Sequence, residues 1–485
     1  MKKILFFAAV AVAMLTGCSQ NDDLTAPTVA QSQTENTPVS FGTYIGRQAE
    51  TRAGATGATN DDATLQANSF GVFGYHQVSD AAGTTNTWSS VNGTATPNFM
   101  YNQLVSYSSG WTYSPIKYWP NGIDAANAAN TPSNTATQAN VQYLNFFAYS
   151  PYVGTDFAFD AKTWTFEPSS GRFKNSSDYY DAAATANGIL RMRANDAAGH
   201  PKVMYRLAQG TNFVDLLWGM RPAGTYDETD NVDNTIAADG YNTDLTKQST
   251  LETVDFKFKH ALAKIGGSNG LKILADIDNN TTSGETGSGS LAATTSITVQ
   301  QITIKNSANS IVTDGWFDLS TGTWAADESG TALSLATVAE GAAFDVTLGS
   351  SELNNEIYSA AGTNQYNNTN TNAWDVAGVT TAAKDVYETS TDAFYLMPNV
   401  ANQKLKIGIT YEIRTYDTNL SGNYSTISQT ITNEVTLPAL SPNKNYKLII
   451  HLGLTSVKFA AVVSAWDNAT SGEEQVIYLP SNVVL

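Results

Sequence analysis

Groups able to do chemistry are sparse in this chain. Its four histidines are His76, His200, His260 and His451, and none falls within the short spacings that gather zinc ligands. Gly266-Gly267-Ser268-Asn269-Gly270 has the G-x-S-x-G spacing but reads as a Gly/Asn/Ser loop, and the strings that cradle a phosphate (the P-loop) or seat a catalytic zinc (H-E-x-x-H) do not occur. His260 ends a run of strand-like alternation, which suits a structural imidazole better than a catalytic one. Glu473 and Glu474 are neighbours, and a strand would point them to opposite faces, so they form no acid/base pair. Asp276-Ile277-Asp278-Asn279-Asn280 opens like a calcium loop. Thr281, however, stands where that loop needs Gly, and Gly287 where it needs a bidentate Glu. The run Asp227–Asp233 is a looser cation candidate, and both stretches read better as solvated charge. No enzyme activity and no cofactor are expected. Trp111-Thr112-Tyr113, Tyr118-Trp119-Pro120 and Phe146-Phe147-Ala148-Tyr149 could stack on sugars if exposed. As core they would each hide roughly 150–250 Å² per ring, and that is the reading favoured here.

The one residue with a covalent future is Cys18. Met1-Lys2-Lys3, an apolar run from Ile4 to Leu15 and the small residues before Cys18 make a secretory signal peptide. The run is shorter than the roughly 20 residues a permanent membrane helix needs. Leu15-Thr16-Gly17-Cys18 has the form of a lipobox, in which the Cys thiol takes lipid (palmitate among the acyl chains) and becomes the new N-terminus. It is the only Cys of 485 residues, so the exported strands hold no disulfide. The Asp22-Asp23 pair just behind it resembles the surface-export signal of some anaerobic Gram-negative lipoproteins. That places the chain on the outer face of the outer membrane.

Composition narrows the class. Charged residues are 14% and the net charge is -18, so phosphate backbones would repel the chain and nucleic acid is not an expected partner. Alternation at a spacing of two dominates: Val39-Phe41-Thr43-Ile45, Val254-Phe256-Phe258, Leu405-Ile407-Ile409-Tyr411-Ile413, Tyr446-Leu448-Ile450-Leu452-Leu454 and Val457-Phe459-Ala461-Val463. Gly/Asn/Ser/Thr loops separate these runs. Short helices are expected only at Ala125–Asn130 or Asp178–Asn187. The fold class is therefore all-β, built from antiparallel β-sandwiches with long loops. A polar, acidic break at residues 223–250 is read as a linker. The expected parts are a signal peptide (1–17), a lipidated linker (18–37), a first strand or propeptide (38–52), an N-terminal sandwich (53–222), the linker (223–250) and a C-terminal sandwich (251–485).

An ordered set of strings resembles the fimbrillin family, whose members build the lipoprotein-derived (type V) pili of gut and oral anaerobes. The set comprises Val39-Ser40-Phe41-Gly42-Thr43-Tyr44, then Arg47 and Arg52, then Phe70-Gly71-Val72-Phe73-Gly74-Tyr75. Tyr118-Trp119-Pro120, Phe146 through Pro151 and Asp215-Leu216-Leu217-Trp218 follow. Phe258 through Ile265, Asn443-Lys444-Asn445-Tyr446 and Val457 through Trp466 complete it. The resemblance implies two transthyretin-like sandwich domains of about seven strands each. It also implies a trypsin-like, arginine-specific protease that removes the first strand, and other fimbrial subunits as partners. The lipid would hold the precursor at the outer membrane until processing. Stalk, tip and anchor subunits share these strings. A monomeric lipid-anchored adhesin that binds glycans, or a tip subunit, is the alternative reading, with the surface ligand open.

In that frame Val39–Ile45 is the removable strand. Arg52 is the preferred processing site, because small residues follow it and it lies farther from the strand; Arg47 is the alternative. The last residues form a β-prone, apolar tail. Val476, Ile477, Tyr478 and Leu479 precede Pro480, and Val483, Val484 and Leu485 end the chain. Pro480 cannot donate to a ladder and suits a bend or an edge. This tail is the candidate donor strand for a neighbouring subunit, and a last strand of its own sandwich is the other reading.

Overall fold

Side chains that are β-branched or aromatic at every second position bury that face by pairing into sheets. The computed structural model describes residues 38–44, 62–78, 87–120, 142–154, 165–167, 172–174, 188–208, 213–221, 240–245, 253–266, 271–275, 295–343, 345–348, 366–367, 373–374, 384–385, 393–452, 457–465 and 475–478. Up to residue 260 the strands are β1 (Phe41–Tyr44), β2 (Phe70–Val78), β3 (Met100–Tyr107), β4 (Trp111–Thr112), β5 (Gln142–Ser150), β6 (Thr165–Glu167), β7 (Arg172–Lys174), β8 (Gly188–Met192), β9 (Lys202–Arg206), β10 (Leu217–Met220), β11 (Asn242–Leu245) and β12 (Val254–His260). Beyond it come β13 (Ala263–Gly266), β14 (Leu271–Ala275), β15 (Thr295–Asn306), β16 (Asp314–Asp318), β17 (Thr323–Ala325), β18 (Asp345–Leu348), β19 (Tyr366–Asn367), β20 (Ala373–Trp374), β21 (Lys384–Asp385) and β22 (Ala393–Leu396). The last five are β23 (Lys404–Tyr416), β24 (Tyr424–Thr436), β25 (Lys444–Leu452), β26 (Val457–Ala465) and β27 (Gln475–Tyr478). Two short helices, α1 (Asp62–Asn68) and α2 (Trp88–Val91), flank β2. The helices expected at Ala125–Asn130 and Asp178–Asn187 lie outside the described residues.

The chain is all-β, as its alternation predicts. An eight-stranded sheet runs β1-β12-β10-β5-β2-β3-β4, with β11 also on β5. Its central strand β5 is buried from Tyr143 to Ser150. Leu144, Phe146 and Ala148 enter one core, while Phe147 and Tyr149 enter another. A strand covered on both faces reads as a continuous apolar run, not an alternating one. The second of these cores is closed by a four-stranded sheet, β17-β16-β9-β8, through Val203, Tyr205, Phe317 and Trp324.

The C-terminal strands form a seven-stranded sheet, β21-β14-β25-β13-β22, with β26 on β25 and β27 on β26. A four-stranded sheet, β18-β15-β23-β24, faces it across a third core that includes Ile302, Ile407, Ile409, Leu448 and Ile450. The long runs at Leu405–Ile413 and Tyr446–Leu452 are strands β23 and β25, as their periodicity predicts.

Residues 37–485 make one compact unit, and the sheets do not divide at the stretch read as a linker. β11 lies inside 223–250 and pairs with β5. β12 follows that stretch, yet it pairs with β10 and β1 of the N-terminal half. β16 pairs with β9 across more than a hundred residues of sequence, with Asp318 opposite Lys202. A polar composition is shared by loops between strands of one sheet and by linkers between domains, so composition alone does not mark a boundary.

Candidate functional site

The geometry singles out strand β1. It is an end strand of the eight-stranded sheet and pairs in parallel with β12, Phe41 opposite Val254 and Thr43 opposite Phe256. On its other side the curled sheet brings β4 and the segment after it close. Trp111 Nε1 donates to Thr43 Oγ1 at 2.8 Å, and Val39 N donates to Lys117 O at 2.9 Å. The Tyr113 hydroxyl donates to Val39 O at 2.8 Å, and Pro38 bridges Tyr118. Val254 N donates to Ser40 O at 2.8 Å. Strand β1 therefore closes the gap between the two ends of the sheet.

Along a strand every second side chain points to the same face, and here that face is packed. Here Val39 and Phe41 are 2% and 4% exposed. The Phe41 ring sits among Tyr113, Phe146, Phe256 and Phe70, with centroids at 5.4, 5.5, 6.0 and 6.4 Å. Gly42, the next residue, lies against the Asp255 carboxylate, where a side chain would collide. Burial pushes the Tyr113 hydroxyl above its ordinary titration range, and its bond to the Lys117 backbone offsets part of that. Burying a Val and a Phe contributes roughly 1.5–3 kcal/mol each. Without β1, the same side chains would line an open apolar groove, and the strand-facing backbone groups of β12 would lose their partners.

The aromatic strings thus mostly serve packing. Tyr113, Trp119, Phe146, Phe147 and Tyr149 are buried, whereas Tyr118 is 49% exposed. His260 is structural in its surroundings. Its Nδ1 lies 2.9 Å from Oδ2 of the buried Asp215, and Asn443 Oδ1 accepts from its backbone N–H at 3.1 Å. This is the point where β12 passes into β13 of another sheet. Burial, and then the Asp215 carboxylate, push the Tyr205 and Tyr395 hydroxyls up. His200 is held by Asp318, Nδ1 to Oδ2 at 2.7 Å, and Ser320 donates its N–H and hydroxyl to the same carboxylate. Sequence reading missed both pairings, since their members lie 45 and 118 residues apart. His76 bonds Gln142 at the sheet surface. Among the described residues no cluster of three or more His, Cys, Asp or Glu could hold a metal.

Of the residues singled out in the tail, Val476, Ile477 and Tyr478 lie in β27. They pair antiparallel with β26, opposite Val462, Ala461 and Ala460. In the single chain this part of the tail is an edge strand of its own sheet. Leu479, Val483, Val484 and Leu485 lie outside the described residues, as do Cys18, Arg47 and Arg52, Asp227–Asp233, Asp276–Asn280 and Glu473-Glu474.

Residues 1–19 match the model of the prokaryotic membrane lipoprotein lipid attachment site. Fimbrium subunit Fim1C of Phocaeicola vulgatus is 25% identical over 474 residues, 95% of this chain and 93% of that protein. The chain is similar to a fimbrium subunit over nearly its whole length. A crystal structure of a fimbrial protein from Bacteroides vulgatus has the same fold at a TM-score of 0.51 and 22% identity, covering 89% of this chain and all of that one. The likeness to fimbrillins carried by the strings from Val39 to Trp466 therefore extends to a curated fimbrial relative.

Proposed function

We propose that this chain is a structural, non-enzymatic subunit of a surface fimbria, exported as a lipoprotein of the outer membrane. In this reading it polymerises by strand replacement and supports adhesion. An arginine-specific protease cuts after Arg52, or Arg47, and β1 leaves with the N-terminal piece. The tail Val476–Leu485 of another copy then enters the vacated groove, backbone to backbone, with apolar side chains in the pockets of Val39 and Phe41. Repetition of that head-to-tail contact gives an open filament. The observation that carries the reading is an edge strand whose first residue, Phe41, stands inside an aromatic cluster. Such a strand is topologically easy to remove and energetically costly to leave unreplaced, because each buried unpaired backbone group costs roughly 1–3 kcal/mol. The likeness to a fimbrium subunit supports it independently.

The test is deletion of Ser481–Leu485 together with N-terminal sequencing of subunits taken from cells. The expected results are a folded, exported chain that forms no filaments, and mature subunits beginning at residue 53 or 48. Filaments of normal length from the deleted chain would refute the donor assignment. Subunits beginning at Cys18 would refute processing. Antibody label spread over the membrane, with none along filaments, would favour a monomeric adhesin.

A further inference from the structure

We propose that β24 is a self-pairing edge, through which two copies of this chain associate by antiparallel pairing of β24 with β24 about a two-fold axis at Gln429. Strand β24 ends the sheet β18-β15-β23-β24, and among the described strands it pairs only with β23. That pairing runs in unbroken register from Lys404–Thr436 to Tyr416–Tyr424. The residues Thr426 to Thr430 are all exposed, so no other part of the described chain covers this stretch of the edge. Soluble proteins guard a long edge of this kind with lysine, proline or a bulge. From Tyr424 to Asn433 this one has no charge, no proline and no break in register.

The occupant follows from the residue order. Tyr424-Ser425-Thr426-Ile427-Ser428-Gln429-Thr430-Ile431-Thr432-Asn433 is nearly symmetric in side-chain type about Gln429. In an antiparallel pair centred there, Ile427 stands opposite Ile431 of the second copy, and Thr426 opposite Thr432. Ser428 meets Thr430, and Gln429 meets its own counterpart. Apolar residues thus face apolar ones and hydroxyls face hydroxyls in both halves, which is the condition for an isologous contact. Ile427 is 51% exposed in the single chain and gains a neighbour on its open side. The Tyr411 hydroxyl donates to Gln429 Oε1 at 3.0 Å, so Gln429, Ile427 and Ile431 share the face turned toward the third core. Pairing would carry that face across the axis without interruption. The paired stretch itself carries no charged residue from Ser425 to Asn433, so no like charges meet across the axis.

The contact is independent of strand replacement, and the experiment keeps the two apart by using the uncleaved chain, in which β1 still fills its groove. The full chain carrying Cys18→Ser, which takes no lipid, is measured by light scattering across a concentration series. The expected result is a concentration-dependent dimer. Gln429→Lys and Gln429→Glu each place like charges opposite each other on the axis. Each alone is expected to raise the dimer dissociation constant about tenfold or more. An equimolar mixture of the two puts Lys opposite Glu and restores dimers, which also proves both variants folded. A monomeric parent chain at all concentrations, variants that dimerise as well as the parent, or a mixture that stays monomeric would each overturn the proposal.

Discussion

Phe41 shows how one side chain can decide what a strand is for. Its ring touches four others. Replacing it with Ala is expected to destabilise the uncleaved chain by about 3–5 kcal/mol, read by chemical denaturation. A loss under about 1 kcal/mol would show that the cluster closes without it. Asp318 carries a different kind of dependence. Burial pushes its carboxyl up, but His200 and the two Ser320 bonds outweigh burial and hold it below the usual value of 3.8. A depressed carboxyl contributes stability that is fully present above its unfolded pKa and is lost as pH falls through the lower folded value. Asp318→Asn should therefore cost about 1–3 kcal/mol near neutral pH and progressively less below pH 3.8. An equal cost at both ends of a pH series would exclude the carboxylate as its source.

At the scale of elements, β1 and β27 are short edge strands of four residues each, one at the end of each large sheet. β1 delivers Phe41 to a core, beside Val39 just before it. Deleting Ser481–Leu485 leaves all of β27 in place, so the stability of the shortened chain should stay within about 0.5 kcal/mol of the parent. Thermal unfolding of the two chains checks this. Strands with one wet face, such as β12 and β23, were legible in the sequence because their alternation is clean. β5 was legible as core but not as a doubly covered central strand, because a run of aromatics has no period to interpret. β1 was legible as a strand from the alternation of Val39, Phe41 and Thr43. The rings that hold it are drawn from residues 70, 113, 146 and 256, and sequence spacing carries no trace of that meeting. The edge at β24 was invisible for a similar reason, since only topology shows which strand lacks a second neighbour.

For the whole molecule, a lateral contact through β24 and a longitudinal one through the β1 groove would use different sheets, so filaments could associate sideways without disturbing their growth. The crossing of the 223–250 stretch by the eight-stranded sheet has a consequence of its own. A chain interrupted there does not yield two separable modules. Residues 1–230 would lack β12 beside β10, and residues 231–485 would lack β9 beside β16. The halves should be insoluble or unstructured when expressed singly, yet reassemble by complementation when produced together, and co-purification through a tag on one half measures it. Two well-behaved separate fragments would contradict the strand pairing. Halves that need each other make the protein, in genetic terms, a single indivisible unit, intolerant of domain shuffling at residues 223–250.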